Sequence, residues 1–332
     1  MTASQENFRP RVGFIVGPTG SGKSALAIEV ATRLGAEIVN ADSRLFYRGL
    51  DIGTAKPSAV ERARVAHHLI DICAPDDAID AARFSTLARA AIDEIVRRGK
   101  RPLVVGGSGL YLRALQHGLC DSPAASPELR ASLRQAATEH GATELHRELS
   151  LVDPAAAARI GCHDLPRIVR ALEVFRLTGE RLSDRQRRHG FSARRYDSLT
   201  IGLTLDRAAL YRRIDERFAA MLAAGLVDEV RTLIGAGYRP DRPPLSTIGY
   251  RELAAHLRGE LTMAAAADAA RRESRRLAKR QLTWFRRDPE ILWLDAARAG
   301  ERALTERALT MFTEFFDRRA ESRGAPQHHA AG

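Results

Sequence analysis

Short apolar runs along the chain alternate with longer stretches of helical periodicity. The runs bounded by turn residues or carrying strand-like alternation predict strands at 12–16, 37–40, 101–105 and 199–205. Apolar positions at helical spacing predict helices at 22–34, 84–98, 206–234 and 263–287. Because the strands alternate with helices, we expect an α/β fold, with a parallel sheet flanked by helices.

The segment 121–195 has a different character. It lacks a run typical of a strand, contains several Ala- and Arg-rich helical windows, and carries Ser-Pro pairs at 122–123 and 126–127. We therefore expect a helical insertion at 121–195. The α/β core would comprise 1–120 and 196–318, followed by a disordered tail at 319–332.

The composition is that of a globular protein. A chain of 332 residues suffices for about two domains, and 45% apolar with 28% charged residues excludes a disordered or fibrous chain. Cys73, Cys120 and Cys162 show neither CxxC nor zinc-ligand spacing, which indicates a reducing compartment. Without an apolar leader or a long apolar run, the chain is expected to be cytoplasmic.

The sequence GPTGSGKS at 17–24 matches the phosphate-binding pattern GxxxxGK[ST]. It lies between the predicted strand 12–16 and the predicted helix 22–34, which is the context such a loop requires. Its glycines let backbone N–H groups turn toward phosphate oxygens, and the helix N-terminus adds a positive dipole. Lys23 supplies a charge, and Ser24 can ligate Mg²⁺. We call residues 17–24 the phosphate-binding loop.

The motif alone leaves two kinds of ligand open, a nucleoside triphosphate or another diphosphate ester. Enzymes that transfer the γ-phosphoryl group of ATP or GTP usually carry a Walker-B Asp after a second apolar strand. Here the best candidate strand, 101–105, runs into the sequence GGSG at 106–109 without a carboxylate. This absence disfavours a nucleoside triphosphatase.

Asp42 follows the predicted strand 37–40. In a doubly wound sheet the carboxyl ends of the strands face the ligand crevice, so Asp42 is a candidate base or metal-binding residue. Its alternative role is that of an Asx-type turn residue. His67 and His68 have no third ligand at metal spacing, and we expect them to be hydrogen-bonded or packed at a strand edge.

The chain carries an excess of positive charge, with 52 Lys and Arg against 41 Asp and Glu and a net charge of +11. The excess is concentrated at 181–195, with six Arg, and at 271–287, with eight Lys or Arg. The second cluster also holds an amide and two aromatic rings, Gln281, Trp284 and Phe285. This composition suits phosphate contacts and base stacking, although an amphipathic helix with solvated arginines has the same composition.

The chain resembles the tRNA dimethylallyltransferases, also called tRNA isopentenyltransferases, from about 12 to 294. The resemblance rests on ordered sequence blocks at 17–24, 40–43, 47–57, 67–71, 105–111, 164–174, 178–179, 248–253 and 278–285. It implies transfer of a dimethylallyl group from dimethylallyl diphosphate to the exocyclic N6 amine of adenosine 37 of tRNA, next to the anticodon. It further implies a P-loop fold, a Mg²⁺ cofactor and a tRNA partner, and we expect the protein to act as a monomer.

The resemblance also implies the site residues. Asp42 would be the general base, with Thr19 and Arg217 as further catalytic residues, and Ser24 would hold Mg²⁺. The diphosphate would lie against the whole loop, Gly17, Pro18, Thr19, Gly20, Ser21, Gly22, Lys23 and Ser24. The implied tRNA contacts are Asp42, Ser43, Arg44, Leu45, Ser108, Arg130, Arg167, Arg170, Gly249, Tyr250, Arg251, Lys279, Arg280 and Gln281.

The chain departs from the family pattern at a few positions. Leu45 stands where the family usually has a glutamine that reads the target base, so that contact is not carried over. Ser108 and Ser274 replace threonines and keep a hydroxyl. The C-terminal zinc finger of eukaryotic relatives is absent, and the bacterial form is the better match.

Three other functions fit part of these features. An adenylate isopentenyltransferase would perform the same chemistry on a free nucleotide and would need neither the insertion nor the basic helix. A small-molecule kinase would use the phosphate-binding loop for ATP. A non-catalytic RNA-binding protein would explain the charge but not the intact Lys23 and Ser24.

Overall fold

A computed structural model of the chain describes residues 9–191, 193–239, 242, 245–297 and 300–318. The predicted disordered tail at 319–332 therefore lies outside the described residues. The strands of the sheet are β1 (Arg11–Val16), β2 (Ala36–Asn40), β3 (His67–His68), β4 (Arg101–Gly106), β5 (Asp197–Thr204) and β6 (Leu292–Asp295). They lie in the order β3-β2-β4-β1-β5-β6, and every neighbouring pair is parallel. The predicted parallel sheet is confirmed.

Helices occupy most of the remaining described chain. In chain order they are α1 (Lys23–Leu34), α2 (Ala59–Arg64), α3 (Ala81–Arg97), α4 (Gly109–His117), α5 (Pro127–His140), α6 (Ala142–Val152), α7 (Pro154–Ala157), α8 (Leu165–Thr178), α9 (Leu182–His189), α10 (Arg207–Ala223), α11 (Leu226–Gly235), α12 (Tyr250–Leu257), α13 (Met263–Phe285) and α14 (Gly300–Asp317). The chain divides into two compact units. The helical unit spans residues 116–194, and the sheet unit comprises the chain before and after it.

The core of the sheet unit lies on both faces of the sheet. On β1, Phe14 faces one cluster together with α3, α11, α12 and α13, while Ile15 faces the other together with α1, α10 and α14. Successive side chains of a strand point to opposite faces, which accounts for this division. Because β1 lies between β4 and β5, the loop that follows it emerges near the middle of the carboxyl edge of the sheet.

The prediction of one helix over 206–234 is wrong. α10 ends at Ala223 and α11 begins at Leu226, with Gly225 between them at φ 97°. Glycine adopts this left-handed conformation without the steric cost of a Cβ, and it ends α10. Met221 and Leu226 are buried in the same core cluster, so the apolar pattern continues across the break and conceals it.

Two short strands complete the sheet at its edges. β6 was not predicted; its four residues pair with β5, from Ile201–Leu292 to Thr204–Asp295. At the opposite edge, His67 Nδ1 is 2.7 Å from the Val65 carbonyl oxygen, and His68 Nε2 is 2.7 Å from Glu37 Oε2. Both rings are thus hydrogen-bonded at a strand edge, as expected for residues without a metal role.

The helical unit has its own small core. Leu133, Leu149, Ile168 and Leu172 are almost fully buried there, on helices α5, α6 and α8. The unit therefore has the buried apolar cluster that a compact element needs.

The described residues contain no disulfide, no membrane-spanning helix and no metal-binding cluster. Cys73, Cys120 and Cys162 are free thiols. Within the described ranges, no helix combines the length and the apolarity needed to cross a bilayer. The same ranges contain no group of three or more His, Cys, Asp or Glu side chains placed to hold a metal ion.

Candidate active site

The phosphate-binding loop connects the end of β1 to the start of α1. Gly17, Gly20 and Gly22 have φ angles of 148°, 82° and 93°, which favour glycine. A Cβ on Gly17 would also lie 2.8 Å from the Leu203 carbonyl oxygen of β5. The loop thus requires glycine for its conformation, and it ends at a helix N-terminus whose free N–H groups attract anions.

Two cations converge on this loop. Lys23 Nζ donates to the Pro18 carbonyl oxygen at 2.9 Å, and Arg217, from α10, donates to Thr19 Oγ1 at 2.6 Å. Burial lowers the pKa of the Lys23 ammonium to about 8; the charge of Asp42 opposes this change and that of Arg217 adds to it. Burial also lowers the pKa of Arg217, again opposed by Asp42. Burial therefore disfavours the charged form of both side chains, and a bound anion would stabilise that form.

Asp42 lies in the tight turn that follows β2. Asn40 fixes this turn, since its amide donates to the carbonyl oxygens of Asp42 at 3.1 Å and Leu69 at 3.0 Å and accepts from the Asp42 amide at 2.8 Å. Asp42 Oδ1 accepts from the Arg44 amide at 3.0 Å. Asp42 is thus an Asx-type turn residue and, at the same time, the carboxylate whose charge acts on Lys23 and Arg217.

The segment 106–109, which we call the glycine loop, links Asp42 to α13. Ser108 Oγ accepts from the Ser43 amide at 3.2 Å. A Cβ on Gly106 would overlap the backbone of Ala41, and a Cβ on Gly109 would overlap the ring of Trp284. Glycine is required at both positions because neighbouring groups already occupy the space.

One cleft of about 920 Å³ opens between these segments. The sequence-predicted residues that line it are Thr19, Lys23, Ser24, Asp42, Ser43, Arg44, Leu45, Ser108, Arg217, Arg280 and Gln281. Its volume is that of a typical small-molecule site. The structure therefore brings the phosphate-binding loop, the carboxylate and part of the basic helix α13 to one place.

The turn at 248–251 was predicted to contact tRNA, but it is partly buried. Ile248 lines the cleft, but Tyr250 is fully buried and its hydroxyl donates to Glu229 Oε1 at 2.5 Å. Burial and the neighbouring charge of Glu229 raise the pKa of Tyr250. Gly249 and Arg251 both bond to the carboxylate of Glu252. Lys279 is exposed on α13, outside the cleft lining.

Glu229 holds the segment that follows Tyr47 in the chain. Its two carboxylate oxygens accept from the amides of Asp51, Ile52 and Gly53 at 2.9, 2.8 and 3.1 Å. A Cβ on Gly53 would lie 2.5 Å from the ring of Tyr250. Tyr250 and Glu229 thus fix the wall of the cleft that Gly53 helps to form.

Three predicted tRNA contacts lie in the helical unit. Arg130 and Arg170 both bond to Glu173, which is fully buried, at distances from 2.5 to 2.9 Å. Burial alone would raise the pKa of Glu173, but the two arginines outweigh it and lower that pKa. Both arginines therefore neutralise a buried carboxylate, a structural role that the sequence did not indicate. Arg167 pairs with Asp164 at 3.0 Å and is largely exposed.

The structure also identifies cleft residues that the sequence did not single out. Thr247 Oγ1 is buried, lines the cleft and has no hydrogen-bond partner among the described residues. Arg242 lines the same cleft. Gln281 was predicted as a tRNA contact, but its bonds to the phosphate-binding loop and to the glycine loop were not predicted. No local sequence pattern marks these roles, because each depends on segments that are distant along the chain.

Comparisons with known proteins agree on one family. The protein-family model described as IPP transferase matches residues 45–288. A tRNA dimethylallyltransferase 1 from Pelobacter propionicus is 52% identical over 286 residues, covering 86% of this chain and 93% of that protein. A tRNA dimethylallyltransferase from Geobacter metallireducens is 51% identical over 291 residues, covering 88% and 94%.

Solved structures give the same result. The full-length tRNA isopentenylpyrophosphate transferase from Bacillus halodurans superposes with a TM-score of 0.69 at 38% identity, covering 93% of this chain and 97% of that chain. A eukaryotic dimethylallyltransferase acting on tRNA superposes with a TM-score of 0.79 at 26% identity, covering 97% and 82%.

Proposed function

The chain belongs to the IPP transferase family and transfers a dimethylallyl group to tRNA, and we propose that the transfer takes place in the cleft beside the phosphate-binding loop. The observation that carries this proposal is the meeting of Lys23, Arg217 and Asp42 in that cleft. Two cations suit a diphosphate, and a carboxylate suits the removal of a proton from an amine.

The first substrate would be dimethylallyl diphosphate. Its diphosphate would lie against the phosphate-binding loop, where Lys23 and Arg217 would balance its charge. The hydrogen bond from Arg217 to the Thr19 hydroxyl holds the guanidinium beside the loop. Because β4 leads into the glycine loop rather than to a carboxylate, the cleft suits a diphosphate leaving group better than γ-phosphoryl transfer.

We further propose Mg²⁺ as the cofactor. Mg²⁺ usually takes one or two protein oxygens and completes its shell with phosphate oxygens and water. The hydroxyl of Ser24 lines the cleft at the start of α1 and fits this requirement. When bound, the ion would neutralise charge on the departing diphosphate.

The second substrate would be adenosine 37 of tRNA, turned out of the anticodon loop into the cleft. Its N6 amine would attack the allylic carbon while the bond from that carbon to the diphosphate oxygen breaks. The amine proton would pass to Asp42, held in position by Asn40 and Arg44. The products would be N6-dimethylallyladenosine and diphosphate.

The surface for tRNA would include α13, where Lys279 and Arg280 are exposed. Arg280 also lines the cleft, so it would stand near the point where the base enters. Arg167 is the most exposed of the predicted contacts in the helical unit. We propose that the protein acts on tRNA as a monomer in the cytoplasm, in keeping with its free thiols.

A direct assay tests this function. The protein is incubated with an anticodon stem-loop, dimethylallyl diphosphate and Mg²⁺, and the RNA is analysed by mass spectrometry. We expect one dimethylallyl group on the adenosine 3′ of the anticodon. In parallel incubations that also contain AMP or ATP, transfer to AMP but not to the stem-loop would contradict the tRNA assignment, and ATP consumption with phosphate transfer would indicate a kinase.

We expect Arg280→Ala to weaken tRNA binding and to lower the slope of log affinity against log salt concentration by about 1, as for the loss of one phosphate contact. The measurement is a salt titration of the tRNA dissociation constant. Arg307→Ala removes the same charge from an exposed position on α14 and serves as the matched control. Equal effects of the two variants would indicate a net-charge effect rather than a contact.

A further inference from the structure

Both ends of the Gln281 side-chain amide form a hydrogen bond. Gln281 Oε1 accepts from the Thr19 amide at 2.8 Å, and Gln281 Nε2 donates to the Gly107 carbonyl oxygen at 2.9 Å. The first partner belongs to the phosphate-binding loop and the second to the glycine loop. One side chain of α13 therefore connects the two loops on which the cleft is built.

These bonds restrict Thr19. Its amide is committed to Gln281, and its hydroxyl accepts from Arg217 at 2.6 Å. In a phosphate-binding loop, backbone amides turn toward the anion. The Thr19 amide instead fixes the loop to α13, which leaves the amides nearer the start of α1 to receive the phosphates.

The fit between α13 and the glycine loop is tight. A Cβ on Gly107 would overlap Gln281 Nε2, and a Cβ on Gly109 would overlap Trp284, which lies three residues after Gln281 on the same face of α13. The absence of side chains at both glycines allows the helix to approach. Gln281 is therefore held in place by packing as well as by its hydrogen bonds.

We propose that Gln281 is a positioning residue for the diphosphate, holding the phosphate-binding loop through Thr19, rather than a contact to tRNA. This inference rests on the proposed function of the cleft. It separates Gln281 from Lys279 and Arg280, its neighbours on α13, whose charges are exposed.

Gln281→Met tests the proposal because it keeps the volume and removes both hydrogen bonds. We expect the KM for dimethylallyl diphosphate to rise about tenfold, from the loss of two hydrogen bonds, while kcat and the tRNA dissociation constant change little. Binding of inorganic diphosphate with Mg²⁺, measured by calorimetry, should weaken to the same extent. Thr283→Val, at an exposed position on the same helix, is the matched control.

Gly107→Ala tests the hydrogen bond between Gln281 and Gly107 by changing the residue that accepts it. Its Cβ would displace the end of the Gln281 side chain and would also lie 3.3 Å from the Gly17 carbonyl oxygen of the phosphate-binding loop, so we expect a rise in KM at least as large in a folded protein. A weaker tRNA affinity with unchanged diphosphate binding would overturn the proposal, and so would no change in either variant. If the wild-type protein failed to modify tRNA but Gln281→Met still weakened diphosphate binding, the proposed function would fail and the positioning role would stand.

Discussion

Asp42→Asn is expected to lower the rate of dimethylallyl transfer by about a thousandfold, the loss typical of a missing general base. The amide oxygen of asparagine can still accept from the Arg44 amide, so the turn after β2 should keep its shape. The variant removes the group that takes the amine proton and leaves the α13 surface intact. The measurement is the single-turnover rate with bound tRNA, together with the tRNA dissociation constant, which should be nearly unchanged.

Asp76→Asn is the matched control for this prediction. Asp76 is another carboxylate that lines the cleft, and the substitution changes the charge by the same amount. We expect it to retain most of the transfer rate. If Asp42→Asn and Asp76→Asn lowered the rate equally, the effect would come from the field in the cleft, and Asp42 would lose its role as the base.

The phosphate-binding loop and Asp42 could be predicted from the sequence because each belongs to a local pattern. The loop needs only a strand, a glycine-rich turn and a helix in succession, and its glycines do adopt left-handed angles. Asp42 needs only a position after a strand of a parallel sheet. The parallel sheet followed from the alternation of strands and helices in the same way.

The roles that depend on packing were beyond local patterns. Gln281 bonds to residues 262 and 174 positions away, and no spacing in the sequence indicates either bond. Arg130 and Arg170 have the composition of nucleic-acid contacts, yet both neutralise Glu173, whose burial depends on the packing of α5 against α8. The break at Gly225 was hidden because apolar periodicity continues on either side of it.

Lys23→Met is expected to lower kcat/KM for dimethylallyl diphosphate by about a thousandfold. The Lys23 ammonium faces the phosphate-binding loop, and the loss combines weaker diphosphate binding with poorer stabilisation of the leaving charge. Steady-state kinetics at saturating tRNA measure it. Lys23→Arg keeps the charge and should retain more activity than Lys23→Met. Equal losses in the two variants would contradict a role for the charge.

The lowered pKa of Lys23 adds a pH dependence whose sign is fixed. With a pKa of about 8 in the free protein, Lys23 is charged below pH 8 and becomes neutral above it. A bound diphosphate favours the charged form, so binding above pH 8 requires the uptake of a proton, and affinity falls by up to about tenfold for each further pH unit.

The lowered pKa of Lys23 has the opposite effect on the stability of the free protein, which rises with pH above 8. Neutral Lys23 is the form that burial favours, and its contribution to the free energy of unfolding increases as the pH rises from 8 toward the ordinary pKa of lysine.

Calorimetry in buffers of different ionisation enthalpy measures the proton uptake. We expect uptake near pH 8.5 on binding of dimethylallyl diphosphate, a monoester that is itself fully ionised at that pH, and much less uptake near pH 7, since Lys23 is already charged there. Lys23→Arg should abolish the uptake, because a guanidinium stays charged over this range. Uptake that persisted in Lys23→Arg would assign the titration to another group.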